Sequence, residues 1–419
     1  MDDEAKAADM TSGPGKSVAS DSRAHTYRAL PGGIWALGFV SMFMDISSEL
    51  VHSLLPIFMS TVLGASMVTI GFIEGLAEGA ALITKVFSGA ISDYFGKRKV
   101  LAIVGYGLAA VTKPIFPLAT TIGWVFGARF VDRIGKGIRG APRDALVADI
   151  APRHLRGAAY GLRQSLDSVG AFVGPLLAIV FMILFANHIK AVLWIAVAPA
   201  LIAVFLLIVA VHEPASPTPA AGHGSRLKPA NIKDLSVRYW LVVVLGAVFT
   251  LARFSEAFLI LRARDVGLTI EYVPAIMIVM NVVYSLFAYP AGAAADRLPA
   301  RFLLVCGLVM LIISDIVLAI GTSPRVAFFG AAFWGLHMAF TQGLLSKLVA
   351  DTAPEALRGT AFGIFNLVSG GAIVAASVIA GSLWSAFGAP ATFCAGALFA
   401  GLAAIGLLLY RPHPRTTAG

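Results

Sequence analysis

Charge is what this chain has least of. Only 13% of its 419 residues are charged, against 58% hydrophobic, and the mean hydropathy is +0.84. A soluble domain carries about 25% charged residues, so the composition is that of an integral membrane protein. Cysteine is almost absent: Cys306 and Cys394 both lie in apolar segments, which excludes a disulfide framework and a cysteine metal site. There is no spacing of metal ligands, no nucleophile–base constellation and no phosphate loop of the Gly-x-x-x-x-Gly-Lys-Ser/Thr type. An enzyme, a metal or other cofactor and direct ATP drive are therefore not expected. Long apolar runs without strand alternation exclude a β-barrel.

What is present is a repeat. Leu146-Val147-Ala148-Asp149-Ile150-Ala151-Pro152-Arg153-His154-Leu155-Arg156-Gly157 returns as Leu348-Val349-Ala350-Asp351-Thr352-Ala353-Pro354-Glu355-Ala356-Leu357-Arg358-Gly359. Each copy lies between apolar runs. A polar hinge repeated at half the chain length predicts two like halves in a bilayer. Twelve helical spans are expected: near 34–59, 67–91, 99–119, 121–142, 157–186 and 190–211 in the first half, and near 238–261, 270–294, 301–321, 325–348, 358–386 and 390–410 in the second. Each has about 20 residues or more, enough to cross the hydrocarbon core. The expected organisation is a disordered tail over 1–30, a six-helix half over 31–211, a Pro- and Gly-rich linker over 212–236, a second half over 237–410 and a tail over 411–419. The fold class is all-α.

The net charge of +9 is not spread evenly. Lys97-Arg98-Lys99, Arg153 with Arg156, Arg226 with Lys228 and Lys233, Arg297 with Arg301, and Arg411 with Arg415 fall in alternate loops. Arg262, Arg264 and Asp265 are the exception. That bias excludes nucleic acid as partner and puts both termini and the linker in the cytoplasm of a multi-pass inner (plasma) membrane protein.

Gly89-Ala90-Ile91-Ser92-Asp93-Tyr94-Phe95-Gly96-Lys97-Arg98-Lys99 spans the loop between the second and third spans. Gly89 permits close helix approach, Asp93 can pair with a base or cap a helix, and Gly96 supplies a turn. Arg139 and Arg143 are the first candidate partners for Asp93. The loop resembles the signature of the major facilitator superfamily. Gly292-Ala293-Ala294-Ala295-Asp296-Arg297 is a partial second copy, in which Leu298-Pro299-Ala300-Arg301 replaces the Gly and basic pair. Arg129-Phe130-Val131-Asp132-Arg133-Ile134-Gly135-Lys136-Gly137 is similar to the family's span-four motif, whose Arg the family links to proton handling. Gly170-Ala171-Phe172-Val173-Gly174-Pro175 looks like the signature of its drug/proton antiporter branches. The resemblance covers about residues 34–410. It implies a monomeric secondary transporter of a small molecule, with Gly89, Asp93, Gly96, Lys97, Arg98, Arg139, Arg143, Asp296 and Arg297 at its gate.

Ionisable groups inside spans cost at least ~2.5–3.5 kcal/mol each, so they are functional candidates. Asp45 and Glu49 are four apart, as are Glu74 and Glu78, and each pair shares a helix face. With Arg129, Asp132 and Asp167 they form the expected proton-coupling set, Asp45 first with Arg129 as its partner. A carboxylate between two aqueous faces can carry a proton. Lys85, Arg133, Arg163, Gln164, Arg253, Glu256, Asn281, His337 and Gln342 are the expected cavity residues. His337, beside Trp334, equally suits a core position, and structural ion pairs between helices are the alternative for each charge. The expected function is proton-coupled transport by alternating access, as an efflux antiporter. Uptake of a nutrient or siderophore is the alternative, and a sensor or scaffold without turnover the third.

Overall fold

A computed structural model describes residues 29–95, 97–213, 235–341, 344–354 and 357–409, without the side chains of Ala90, Asp93, Tyr94, Phe95 and Asp296. The expected tails over 1–28 and 411–419, the linker over 214–234, Gly96 and Gln342 lie outside the described residues. The described chain is helical throughout. In order, α1 is Gly32–Ile57, continued by a wider turn over Phe58–Val62; α2 is Met67–Phe95; and α3 is Arg98–Thr112, with a further turn at Ile115–Leu118. Then α4 is Ile122–Ile150, α5 is Arg156–Leu184, and α6 is Ile189–Ile195 plus Val197–Ala210. In the second half α7 is Val237–Ala252 plus Ala257–Asp265, α8 is Ala275–Arg297 and α9 is Ala300–Ile320. Pro324–Thr341 with Leu344–Thr352 makes α10, Arg358–Phe387 makes α11 and Ala389–Leu409 makes α12.

Ten of these passes are long and apolar enough to cross a membrane by composition alone. The two that fall short are α4, which carries a row of charges, and α10, which carries Arg325 and His337. Large apolar side chains such as Leu201, Phe205, Phe329 and Leu402 are exposed on the outside of the bundle, a surface suited to lipid.

The repeated hinge folds the same way twice. Ala151 and Ala353 donate to the carbonyls of Val147 and Val349, at 3.0 and 3.1 Å. Leu155 and Leu357 donate to Pro152 and Pro354, at 2.8 and 2.9 Å. Both copies lie at the end of the bundle where the 211–213 and 235–237 segments meet it, here called the linker face.

Three span boundaries differ from expectation. The fourth helix runs on to Ile150, because the polar residues past 142 find partners there: Arg98 pairs with Asp149, and Arg143 donates to Ser41. The seventh is interrupted at 253–256, where Ser377 Oγ accepts from the freed Ser255 amide at 3.2 Å. The third breaks at Lys113-Pro114, since proline lacks the amide that the helix needs.

Packing divides the molecule unevenly. One apolar core takes in the far-face ends of both halves, joining Leu54 and Phe58 of α1 to Phe258 and Ile260 of α7, and in the second half it runs on to Leu303 of α9 and Leu407 of α12. Toward the linker face the first half has its own core around Leu37, Tyr106 and Leu146, and a separate one in the second half surrounds Tyr239 and Phe365. The halves thus share a core at the far face and keep separate cores toward the linker face, where α2 and α11 still touch at Val86 and Gly363. Between α2 and α11 the seam is glycine: a Cβ on Gly71 would meet the Ser377 carbonyl at 2.1 Å, and one on Gly79 the Gly370 carbonyl at 2.8 Å. Only hydrogen in place of a side chain lets backbones approach this closely.

Candidate functional site

Charges on α1, α2, α4 and α5 of the first half, among them Asp45, Glu49, Glu78, Lys136 and Asp167, keep partial exposure inside the bundle, and the space they face toward the linker face is here called the chamber. Their positions follow from small residues beneath them. Gly170 and Gly174 of α5 seat α1, since a Cβ on either would come within 2.9 Å of the Asp45 or Glu49 Cβ. The span-five glycine motif therefore fixes where the two α1 carboxylates stand. On α4, a Cβ at Gly135 would meet the Gly105 carbonyl of α3 at 2.7 Å, and one at Gly137 would meet Thr84 of α2 at 2.7 Å. Helical rotation then turns Lys136, between them, away from both neighbours.

Most of the charges are paired. Arg129 donates to Glu74 at 2.6 Å, with the two side chains 1% and 0% exposed. Arg133 lies 3.1 Å from Glu78, itself one-third exposed. Lys113 meets Asp132 at 2.8 Å and Ser48 at 3.2 Å, a buried triad across α3, α4 and α1. Arg163 donates to Asp167 at 2.7 Å and to Gln164 at 3.3 Å. His52 stands 3.6 Å from Glu49.

Asp45 and Lys136 differ from these. Asp45 is half-buried and Lys136 exposed, and among the described residues neither makes a hydrogen bond or an ion pair. Lys136 is nevertheless surrounded by Arg133, Glu78, Glu49 and Asp45, so the solvent it meets lies inside the bundle. The charges around Asp45 are Asp167, Arg139, Lys136 and Arg143.

The expected site is redistributed accordingly. Asp45, Glu49, Glu78 and Asp167 do reach the chamber. Glu74, Arg129 and Asp132 do not: they are locked in buried pairs, and Arg129 serves Glu74 rather than Asp45. Arg133 is buried behind Glu78 instead of facing a cavity. Lys85 and Gln164 are exposed, and Arg163 is half-buried. In the second half Arg253 and Glu256 pair at 3.4 Å in the α7 interruption, and Asn281 reaches the Ala171 carbonyl of α5 at 3.5 Å. His337 is not a cavity residue. It is fully buried, pairs through Nδ1 with the Gly307 carbonyl at 2.9 Å and stacks on Phe249.

At the linker face, the Arg139 guanidinium lies over the Tyr106 ring at 4.8 Å, and Arg143 lies beside Asp144, with Ser41 accepting from it. Both lie inside the first half, and the Asp93 and Asp296 side chains expected to face the gate are outside the described residues. Gly89 is a looser contact than expected, for a Cβ there would only touch Ala141 at 3.7 Å. The tight α2–α4 crossing is at Gly137. Arg98 pairs with Asp149, and the amides of Arg98 and Lys99 are capped by Glu213, while Lys97 and Arg297 are exposed. Arg262, an exception to the charge bias, donates to the carbonyls of Leu318 and Gly321 and so caps α9. Sequence reasoning missed Lys113, His52 and Lys136. The i, i+4, i+7 spacing of Asp45, Glu49 and His52 was the signal for the second.

The sequence model described as Major Facilitator Superfamily matches residues 37–263 and 256–419. An uncharacterized MFS-type transporter of Methanocaldococcus jannaschii is 31% identical over 365 residues, covering 85% of this chain and 89% of that protein. The multidrug resistance protein MdtH of Photorhabdus laumondii is 29% identical over 145 residues, covering 35% of this chain and 36% of that protein. Among solved structures, the crystal structure of a D-xylose-proton symporter superposes with a TM-score of 0.71 at 16% identity, covering 91% of this chain and 98% of that one.

Proposed function

Since the chain belongs to the Major Facilitator Superfamily, we propose that it is a proton-coupled secondary transporter that moves a small organic solute by alternating access and exports it in exchange for protons. The family is one of transporters and not of enzymes. The observation that carries the proposal is Asp45: a carboxyl that has no partner among the described residues, half-buried inside the bundle and held in place by Gly170. A carboxylate that faces the chamber can take a proton from one side and give it to the other when the halves rock. Glu78 and Asp167 beside it lie against Arg133 and Arg163 and serve as frame.

The export direction is supported by the likeness of about a third of the chain to a protein named for multidrug resistance. Loop charge supports an inner-membrane protein with its linker face in the cytoplasm. Asp93 with Lys97 and Arg98, and Asp296 with Arg297, are the proposed gate, and one chain is the proposed working unit.

The test uses sealed proteoliposomes with an imposed pH gradient and three impermeant probes: zwitterionic 6-aminohexanoate, cationic tetraethylammonium and anionic hexanesulfonate. Exchange predicts movement of one probe against the proton gradient, with a matching change in a trapped pH dye. Movement along the gradient would make the protein an uptake symporter. No probe-dependent proton flux would leave a sensor or scaffold.

A further inference from the structure

Among the described residues Asp45 is the chamber acid without a counter-ion in contact, and Lys85, Lys136 and Arg139 are cations without one; of these, Lys136 is the exposed one that faces Asp45. The other chamber acids have neighbours in contact: Glu78 has Arg133 and Asp167 has Arg163, while Glu49 stands 3.6 Å from His52, which answers its charge only when the imidazole is protonated. Asp45 and Lys136 feel each other, yet they form no pair among the described residues. Neither helix is free to close the gap. Gly135 and Gly137 wedge α4 against α3 and α2 on both sides of Lys136, and Gly170 fixes α1 at Asp45. Opposite charges held apart at fixed places inside the bundle, where attraction is stronger than in open water, are a recognition element.

We infer that the transported solute is a zwitterion, with its cationic nitrogen at Asp45 and its acidic group at Lys136. This rests on the transporter reading above and names its substrate class. A cation alone leaves the Lys136 ammonium unmatched. An anion alone leaves the Asp45 carboxylate unmatched until a proton neutralises it. A zwitterion answers both charges and needs no proton, so it competes with the proton for Asp45. Competition for one carboxylate is exchange; joint binding of an anion and a proton would be symport. Cargo charge and transport direction are therefore tied together at this pair.

The other charged groups facing Asp45 are Lys136, Arg139 and Arg143 of α4 and Asp167 of α5, with Glu49 one turn along its own helix. The segment of α6 that packs on α1, Val197–Ala210, carries no charge. In the adjoining part of α7, Arg262 is tied to α9 and to Asp265, and Arg264 donates to Leu268.

Equilibrium binding to the purified full-length protein in detergent tests this without any transport step. The probes are 6-aminohexanoate, tetraethylammonium and hexanesulfonate, titrated calorimetrically at pH 6 and pH 8 in two buffers of different ionisation heat. The expected result is binding of 6-aminohexanoate in preference to both others, tighter at pH 8 and with proton release to the buffer. Lys136→Gln weakens it at least tenfold, and Lys136→Arg, which keeps the charge, restores it if both variants melt like the wild type. Three results overturn the inference: hexanesulfonate binding as tightly as the zwitterion with proton uptake, 6-aminohexanoate affinity unchanged in Lys136→Gln, or no binding of 6-aminohexanoate. If any of these occurs while another probe still drives proton flux in vesicles, the substrate class fails and the transporter reading stands.

Discussion

Residue by residue, the charges sort into frame and function by whether they have a partner. Glu74 and Arg129 are frame. Glu74→Gln leaves Arg129 only its longer contact to Glu78, at 3.9 Å, so it should cost stability, by up to about 3–5 kcal/mol. Replacing both by apolar residues of similar size should recover most of that loss; a melting series on the single and double variants checks it. Asp315 is a different case. It is fully buried in α9 against Gly396, and neither carboxyl oxygen has a hydrogen-bond partner. Asp315→Leu should therefore raise stability, by about 1–3 kcal/mol, with thermal unfolding as the readout. The presence of these acids was legible in the sequence, because charge in an apolar run is conspicuous. Their pairing was not. Which cation faces Glu74 depends on helix rotation and crossing points, and α4 presents Arg129, Arg133 and Lys136 at spacings that allow several pairings.

At the level of the helix, glycine spacing decides where charges stand. Gly137 is the contact that matters between α2 and α4, and Gly137→Val should drive Thr84 and the Ala81 carbonyl of α2 away from α4. The expected outcome is a lowered melting temperature, with 6-aminohexanoate binding lost because Lys136 is displaced, whereas Gly89→Ala should leave both unchanged. Parallel melting and calorimetry on the two variants decide it. The loop motif around Gly89 drew attention in the sequence because it resembles a family signature, yet the tight crossing lies elsewhere. Gly71, Gly75 and Gly79 were equally visible at four-residue spacing. What they pack against was not, since α11 lies about three hundred residues away in sequence. The interruption of α7 at 253–256 carries no proline or glycine; the Ser377 hydroxyl of α11 accepts from the Ser255 amide and the Ser255 hydroxyl from the Ala257 amide, and these replace the lost helical bonds.

Across the whole molecule, the duplicated hinge and the alternation of basic loops foretold two halves of six helices, and the architecture bears this out. Which face would be closed was beyond the sequence, because both closures use the same residues in different contacts. Here the halves share a core at the far face and have separate ones toward the linker face, which makes the linker face the open side of this account. A single cysteine in place of Gln164 should accordingly react quickly with a charged, impermeant thiol reagent added to the linker face, and one in place of Leu54 should not react. Bringing the chamber to the other side requires the α2–α11 seam to part at Gly71 and Ser377. The account as a whole depends on Asp45 exchanging protons as the halves rock. Proton flux into proteoliposomes, driven by 6-aminohexanoate and followed with a trapped pH dye, measures that directly in the wild type and in Asp45→Asn of equal melting temperature. The account predicts a clear proton signal in the wild type and none in Asp45→Asn; an undiminished signal in the variant would contradict it.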